Sequence, residues 1–181
     1  MSDPPKKLLY GISGYMERET RPSGIEDILW ASFSAVPHLC ICRFVWNEKP
    51  YSIAKWVRRI VNRWPGIEVN SLSYSYGCTT ATQVIDELAG LDIENAWMID
   101  PVWRPNRWAT PISIFGWGTL YVGHNVKHCR VWRQKQTIIR GCNVEMRGRN
   151  TEYTEDLLNY RHTQIDNSPA IQGTIIERMQ A

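Results

Sequence analysis

The feature that most restricts the fold of this chain is an alternation. Short apolar runs ending in small or acidic residues take turns with longer segments whose apolar residues recur at helical spacing. Leu8-Leu9-Tyr10-Gly11-Ile12-Ser13 reads as a buried strand. Ser23 and Glu26 then form a capping box, and Ile25, Ile28, Leu29, Phe33 and Val36 follow at helical spacing until Pro37 stops the helix. Leu39 to Trp46 is a second strand. A helix starting at Ser52 presents Ile53, Trp56, Val57, Ile60, Val61 and Trp64 on one face and ends at Pro65-Gly66. Ile67 to Leu72 is a third strand, Tyr76 to Leu88 a helix closed by Gly90, and Ala96 to Asp100 a fourth strand ended by Pro101. Strands separated by helices pair in parallel, and both faces of the resulting sheet are covered. The expectation is a three-layer α/β/α sandwich with a mostly parallel sheet, one domain spanning residues 1–181.

The second half is less regular. Residues 104–126 are rich in Pro, Gly and Trp and read as an irregular excursion suited to covering a substrate. His128 to Gln134 is a fifth strand, Gln136 to Asn150 a hairpin or loop, and Pro169 opens a last helix with Ile171, Ile175, Ile176 and Met179. A hydrophobic content of 43% excludes a disordered chain, and no apolar run reaches the roughly 18 residues that span a bilayer. The net charge of +3 is too small to argue for nucleic acid by itself. The polar start, Met1 to Lys7, has no signal-peptide pattern. Cys40, Cys42, Cys78, Cys129 and Cys142 lack the C-x2-C spacing of zinc or redox sites. Reduced thiols, a cytoplasmic location, no metal and no cofactor are therefore expected.

In parallel α/β sheets, function gathers beyond the carboxyl ends of the strands. The third strand runs directly into Ser73-Tyr74-Ser75-Tyr76-Gly77 and then a helix. That is the strand–turn–helix setting of a nucleophile elbow, with Ser75 at its apex, Gly77 as the last glycine and Ser73 in place of the first. A serine hydroxyl needs a general base. Of His38, His124, His128 and His162, the last fits best, because it lies after the last strand and just before the final helix. His124 is the reserve. Asp100, at a strand end, is the favoured acid to hold the imidazole; Asp156, Glu145, Glu152 and Glu155 compete, and Asp166 reads instead as the cap of the final helix. The backbone N–H groups of Tyr76 and Tyr15, the latter turned inward by Gly14, are the expected oxyanion donors.

These segments resemble a small member of the α/β-hydrolase family, of the compact serine esterase or lipase type. The resemblance rests on Tyr10 to Tyr15, Ser73 to Gly77, Met98 to Val102 and His162 to Asn167. It implies hydrolysis of an ester or thioester with Ser75 as nucleophile, His162 as base and Asp100 as acid. Ser73 in place of glycine, the missing HGGG-type loop and the short chain depart from the pattern. An inactive binding protein on the same scaffold is the alternative.

A single-strand nucleic-acid binder is a weaker reading, from the Arg–Trp interleaving at Trp103 to Trp108 and Arg130 to Arg133. Cys78 is a remote alternative nucleophile that should point away from the apex. The nine tryptophans sort by position. Trp30, Trp56 and Trp64 should pack on helices, Trp97 and Trp132 on strands, and Trp46 should end a strand at the functional edge. Trp103, Trp108 and Trp117 lie in the excursion, and Trp103 and Trp108 are the candidate lining of an apolar cleft beside Ser75.

Overall fold

The computed structural model describes residues 3–15, 24–104, 118–135 and 141–181. In chain order the described elements are β1 (Lys7–Ile12), α1 (Gly24–Ala35), β2 (Leu39–Phe44), α2 (Pro50–Arg63), β3 (Glu68–Tyr74), α3 (Gly77–Glu87) and β4 (Ile93–Ile99). There follow β5 (Thr119–Val122), β6 (Val126–Gln134), β7 (Asn143–Met146), β8 (Glu152–Leu158) and α4 (Pro169–Gln180). Six strands form one sheet in the order β2-β1-β3-β4-β6-β8, and every neighbouring pair in it is parallel. The three-layer α/β/α expectation holds.

The layers follow from period-2 side-chain alternation. Leu8, Tyr10 and Ile12 of β1 point to one face, where they meet Ile53 and Val57 of α2 and Ala81, Val84 and Ile85 of α3. Leu9 of β1, Leu72 of β3 and Trp97 of β4 point to the other, against Ile25, Ile28 and Leu29 of α1 and Ile171 and Ile175 of α4. The inner strands β1, β3 and β4 are buried on both faces; β1 is mostly apolar, whereas β3 and β4 also bury the polar side chains of Asn70, Ser71, Ser73 and Asn95. Each fully buried Leu or Ile there contributes roughly 1.5–3 kcal/mol.

Five local expectations are corrected. The excursion is not irregular throughout, because β5 lies within it; β5 pairs in parallel with β7 to form a separate two-stranded sheet. Residues 141–150 are therefore no hairpin. The strand β8 was not expected at all, because its sequence, Glu-Tyr-Thr-Glu-Asp-Leu-Leu, lacks an apolar face; it sits at the sheet edge, where polar side chains remain in water. On α1, Trp30 and Phe33 do not pack into the core but stay 62% and 49% exposed, edge-to-face against each other. Finally, Asp166 does not cap α4, whose N-cap is Ser168. Its Oδ2 accepts the Gly24 N–H at 3.1 Å, so it caps α1 from the far end of the chain. Ser23 of the expected capping box lies outside the described residues.

Candidate active site

Strand β3 delivers Tyr74, and the chain then turns sharply. Ser75 has φ +53°, in the left-handed region that a non-glycine residue adopts only when its surroundings hold it there. They do so through hydrogen bonds. The Ser75 N–H donates to the Ile99 carbonyl at 3.0 Å, and the Ser75 carbonyl accepts from the N–H groups of Cys78 and Val102, each at 3.1 Å. Helix α3 starts two residues later, pressed against the end of β1. A Cβ on Gly77 would stand 2.4 Å from the Ile12 carbonyl oxygen, which is why no side chain fits there. Ser73, where the elbow pattern has glycine, is accommodated: it is buried, and its hydroxyl donates to the Trp97 carbonyl at 3.3 Å.

Strand β4 delivers Asp100 in the same manner. It is fully buried, has φ +42°, and its N–H donates to the Trp132 carbonyl at 2.6 Å. Asp100 Oδ1 accepts the Gln134 N–H at 3.4 Å, which leaves Oδ2 to face a second partner. That partner is His162, on the loop between β8 and α4. Its Nδ1 lies 2.5 Å from Asp100 Oδ2, and its Nε2 lies 2.9 Å from Ser75 Oγ. With the imidazole proton on Nδ1 and donated to Asp100, Nε2 offers its lone pair to the serine hydroxyl. Residues 62 and 87 positions apart in sequence thus form one continuous hydrogen-bonded line.

A fourth residue holds this line, and the sequence reading missed it. The Tyr74 hydroxyl donates to the His162 carbonyl at 2.5 Å, and the two rings stack with centroids 5.2 Å apart and planes 29° apart. The residue that precedes the serine therefore orients the imidazole. No sequence signal marks it, because the contact spans 88 positions.

The other candidates sit elsewhere. Asp156 pairs with Arg130 at 2.8 Å, Glu155 with Arg133 at 3.1 Å, and Glu152 with His128 at 2.7 Å; Glu145 is exposed. His128 lies near the start of β6, between Glu94 and Glu152, and His38 in the turn from α1 to β2. His124 precedes β6. Cys78 is fully buried, and burial pushes its thiol well above the ordinary range; its Sγ faces the Ile99 carbonyl. Among the described residues, no three His, Cys, Asp or Glu side chains are grouped as a metal would require.

Gly14 brings the loop after β1 alongside the elbow: a Cβ on it would stand 3.1 Å from Ser75 Cβ. The ring of the next residue, Tyr15, meets Trp46 and Tyr76 at centroid distances of 5.2 and 5.7 Å, and Trp46 lies 6.0 Å from Tyr76. These three rings form a cluster around the residue that follows Ser75. Trp103 is half-buried, with its ring against the backbone of Gly118 and its other contacts in the core under α3. Trp108 and Trp117 lie outside the described residues.

No family model matches the sequence, and no curated protein does. Solved structures do resemble it. RedJ, crystallised with a polyethylene glycol molecule in its active site, matches with a TM-score of 0.60 at 9% identity, over 98% of this chain and 93% of that one. A carboxylesterase from Mesorhizobium loti matches at 0.58 and 12% identity, over 98% and 90%. The catalytic core of acetyl xylan esterase from Trichoderma reesei matches at 0.53 and 10% identity, over 99% and 100%. The chain spans only 56% and 61% of two further matches, a cutinase-like protein from Cryptococcus sp. and an uncharacterised protein from Bacillus cereus.

Proposed function

From a chain that has the α/β-hydrolase fold, we infer a serine hydrolase that cleaves an ester or thioester through Ser75, His162 and Asp100. The observation that carries this reading is the unbroken contact from Ser75 Oγ to His162 Nε2 and from His162 Nδ1 to Asp100 Oδ2. Its chemistry follows from the atoms. His162 Nε2 takes the hydroxyl proton as Ser75 Oγ bonds to the carbonyl carbon of the substrate. Asp100, buried beside Nδ1, stabilises the imidazolium that results. The N–H groups of Tyr15 and Tyr76 receive the negative charge that develops on the carbonyl oxygen. The tetrahedral species collapses, His162 returns its proton to the leaving alkoxide or thiolate, and the acyl group stays on Ser75. Water then attacks with His162 as base, which releases the carboxylic acid and restores the serine hydroxyl.

Each part has an expected share. General base catalysis of this kind contributes about 10²–10⁴-fold, and one oxyanion donor about 10²–10³-fold. The left-handed backbone at Ser75 and Asp100 supports the reading further, because such conformations cost of order 1–3 kcal/mol each and gather at functional sites.

A fluorophosphonate probe tests the proposal. Stoichiometric labelling of the parent and none of Ser75→Ala is the expected result. If Ser75→Ala hydrolysed short p-nitrophenyl esters as fast as the parent, the mechanism would be wrong. A folded sample that takes no label would instead be a binding protein on this scaffold.

A further inference from the structure

We propose that the outer edge of β2 is an interface with a second copy of this chain, the two β2 strands pairing antiparallel about a two-fold axis at Ile41. The proposal is independent of the chemistry at Ser75. It starts from the two edges of the six-stranded sheet, which are built differently. The β8 edge carries Glu152, Glu155 and Asp156, and such charges keep an edge strand from pairing with another chain. The β2 edge has neither proline nor lysine, and its one charge, Arg43, is already paired with Glu26 of α1 at 2.7 Å. Among the described residues no strand covers its outer side. Its flanks are apolar on both faces of the sheet. Leu39 and Ile41 lie with α1, where the exposed Trp30, Phe33 and Pro37 wall a groove of about 710 Å³ that reaches Ile41. Asp3 and His38 at the end of that groove face each other at 3.9 Å. Cys40 and Cys42 lie on the opposite face with α2, beside the half-buried Trp56, Ile60 and Trp64.

A second copy is the occupant that this composition fits. A strongly charged partner would find no free counter-charge on the strand, whereas its own apolar sequence is neutral and matches itself. In a continuous antiparallel sheet the two-fold axis stands perpendicular to the sheet, so each face meets the same face of the partner. Opposed residues then point the same way. Pairing centred on Ile41 sets that residue against its own copy, Cys40 against the partner's Cys42 and Leu39 against the partner's Arg43. It brings Trp30 and Phe33 of both copies to one side, where they close over the pairing. It also places the C-terminal turns of the two α2 helices, with Arg63, at opposite ends, so these cations do not oppose each other. The size is adequate. A strand of 6 residues spans about 20 Å and a helix–sheet–helix edge is about 30 Å thick, which gives on the order of 600 Å² in projection and more as accessible surface. Each partner of a stable dimer buries roughly 800 Å². The backbone N–H and C=O groups on the outer side of β2 gain partners in the same step.

Sedimentation equilibrium of the intact chain tests the proposal. Twice the chain mass is expected at about 100 μM, falling to the chain mass on dilution. Trp30→Glu combined with Phe33→Glu, both at exposed positions, should weaken association at least about tenfold and leave the circular dichroism spectrum unchanged. Leu157→Glu, exposed on the β8 edge, should leave association as it is. Diamide, which is reduced as it joins two thiols, reads the register. It should make the parent dimer covalent through Cys40 and the partner's Cys42, since Cys78, Cys129 and Cys142 are buried. Cys40→Ser and Cys42→Ser should each fail to cross-link alone, because each lacks one member of the pair. A re-equilibrated mixture of the two should cross-link, because Cys42 of the first variant then meets Cys40 of the second. A chain that stays single at about 1 mM overturns the proposal, as does a dimer that the Trp30 and Phe33 substitutions leave intact or that Leu157→Glu dissociates. Cross-linking by either cysteine variant alone overturns the pairing at Ile41.

Discussion

Tyr74 links two jobs at the residue scale. Its backbone ends β3 and sets up the turn at Ser75, and its side chain holds His162 by a hydrogen bond and a stacked ring. Tyr74→Phe keeps the ring and removes the hydroxyl. A hydrogen bond of this kind contributes about 0.5–1.5 kcal/mol, so fluorophosphonate labelling should slow by up to roughly tenfold and still reach full stoichiometry. Labelling at the parental rate would show that the stack alone positions the imidazole. Asp100→Asn preserves shape but reverses the hydrogen-bond polarity at His162 Nδ1, which favours the wrong tautomer. By comparison with serine triads in general, kcat should fall by about 10⁴-fold with KM little changed. A loss smaller than about tenfold would mean that another group fixes the imidazole.

Contacts between elements carry the next level of organisation. Helix α3 approaches β1 so closely that Gly77 has no room for a methyl group: the nearest atoms are the carbonyl oxygens of Ile12, which ends the central strand β1, and of Ser13, which follows it, and backbone there cannot give way cheaply. Gly77→Ala should destabilise the fold by about 1–3 kcal/mol, read as a lower urea midpoint at constant slope. Helix α1 begins at Gly24, whose N–H is received by Asp166, so the first helix depends on a residue near the last one. Asp166→Ala should cost about 0.5–2 kcal/mol and lower Tm by a few degrees. An unchanged Tm would show that α1 needs no cap from there. The same scale explains what was hard to read. Strands β1, β3 and β4 announce themselves because both of their faces are buried, and the edge strand β2 by its run Leu39-Cys40-Ile41-Cys42, whereas β8 carries mostly polar side chains and is defined by pairing with β6. The short strands β5 and β7 are likewise defined by each other, across a stretch that includes all of β6.

Across the whole molecule, two cores on opposite faces of one parallel sheet hold the loops that meet at its carboxyl edge. The thiols report on those cores. Burial pushes the Cys129 and Cys142 thiols up to about 12 and Cys78 higher than its ordinary value by a wide margin; it also raises Cys40, and Cys42 to about 11, but these two lie half-buried on the edge strand β2 and so remain within reach of a reagent. A thiol-reactive disulfide reagent at pH 8 should therefore modify Cys40 and Cys42 first and reach the other three only on unfolding. Rapid reaction of all five in the native state would contradict this packing.

The sequence by itself determined the layer architecture, because the switch between strand and helix periodicity is local and leaves few ways to cover a sheet. It also marked Ser75, Asp100 and His162 as candidates, since each stands at a strand end or in a loop that a parallel sheet sends to the same edge. It said nothing of Tyr74 against His162 or of Asp166 at the start of α1. Those contacts join residues whose local sequences carry no trace of one another. Only the register and twist of the assembled sheet bring them within a few ångströms, and so only the tertiary structure decided which side chains surround the serine.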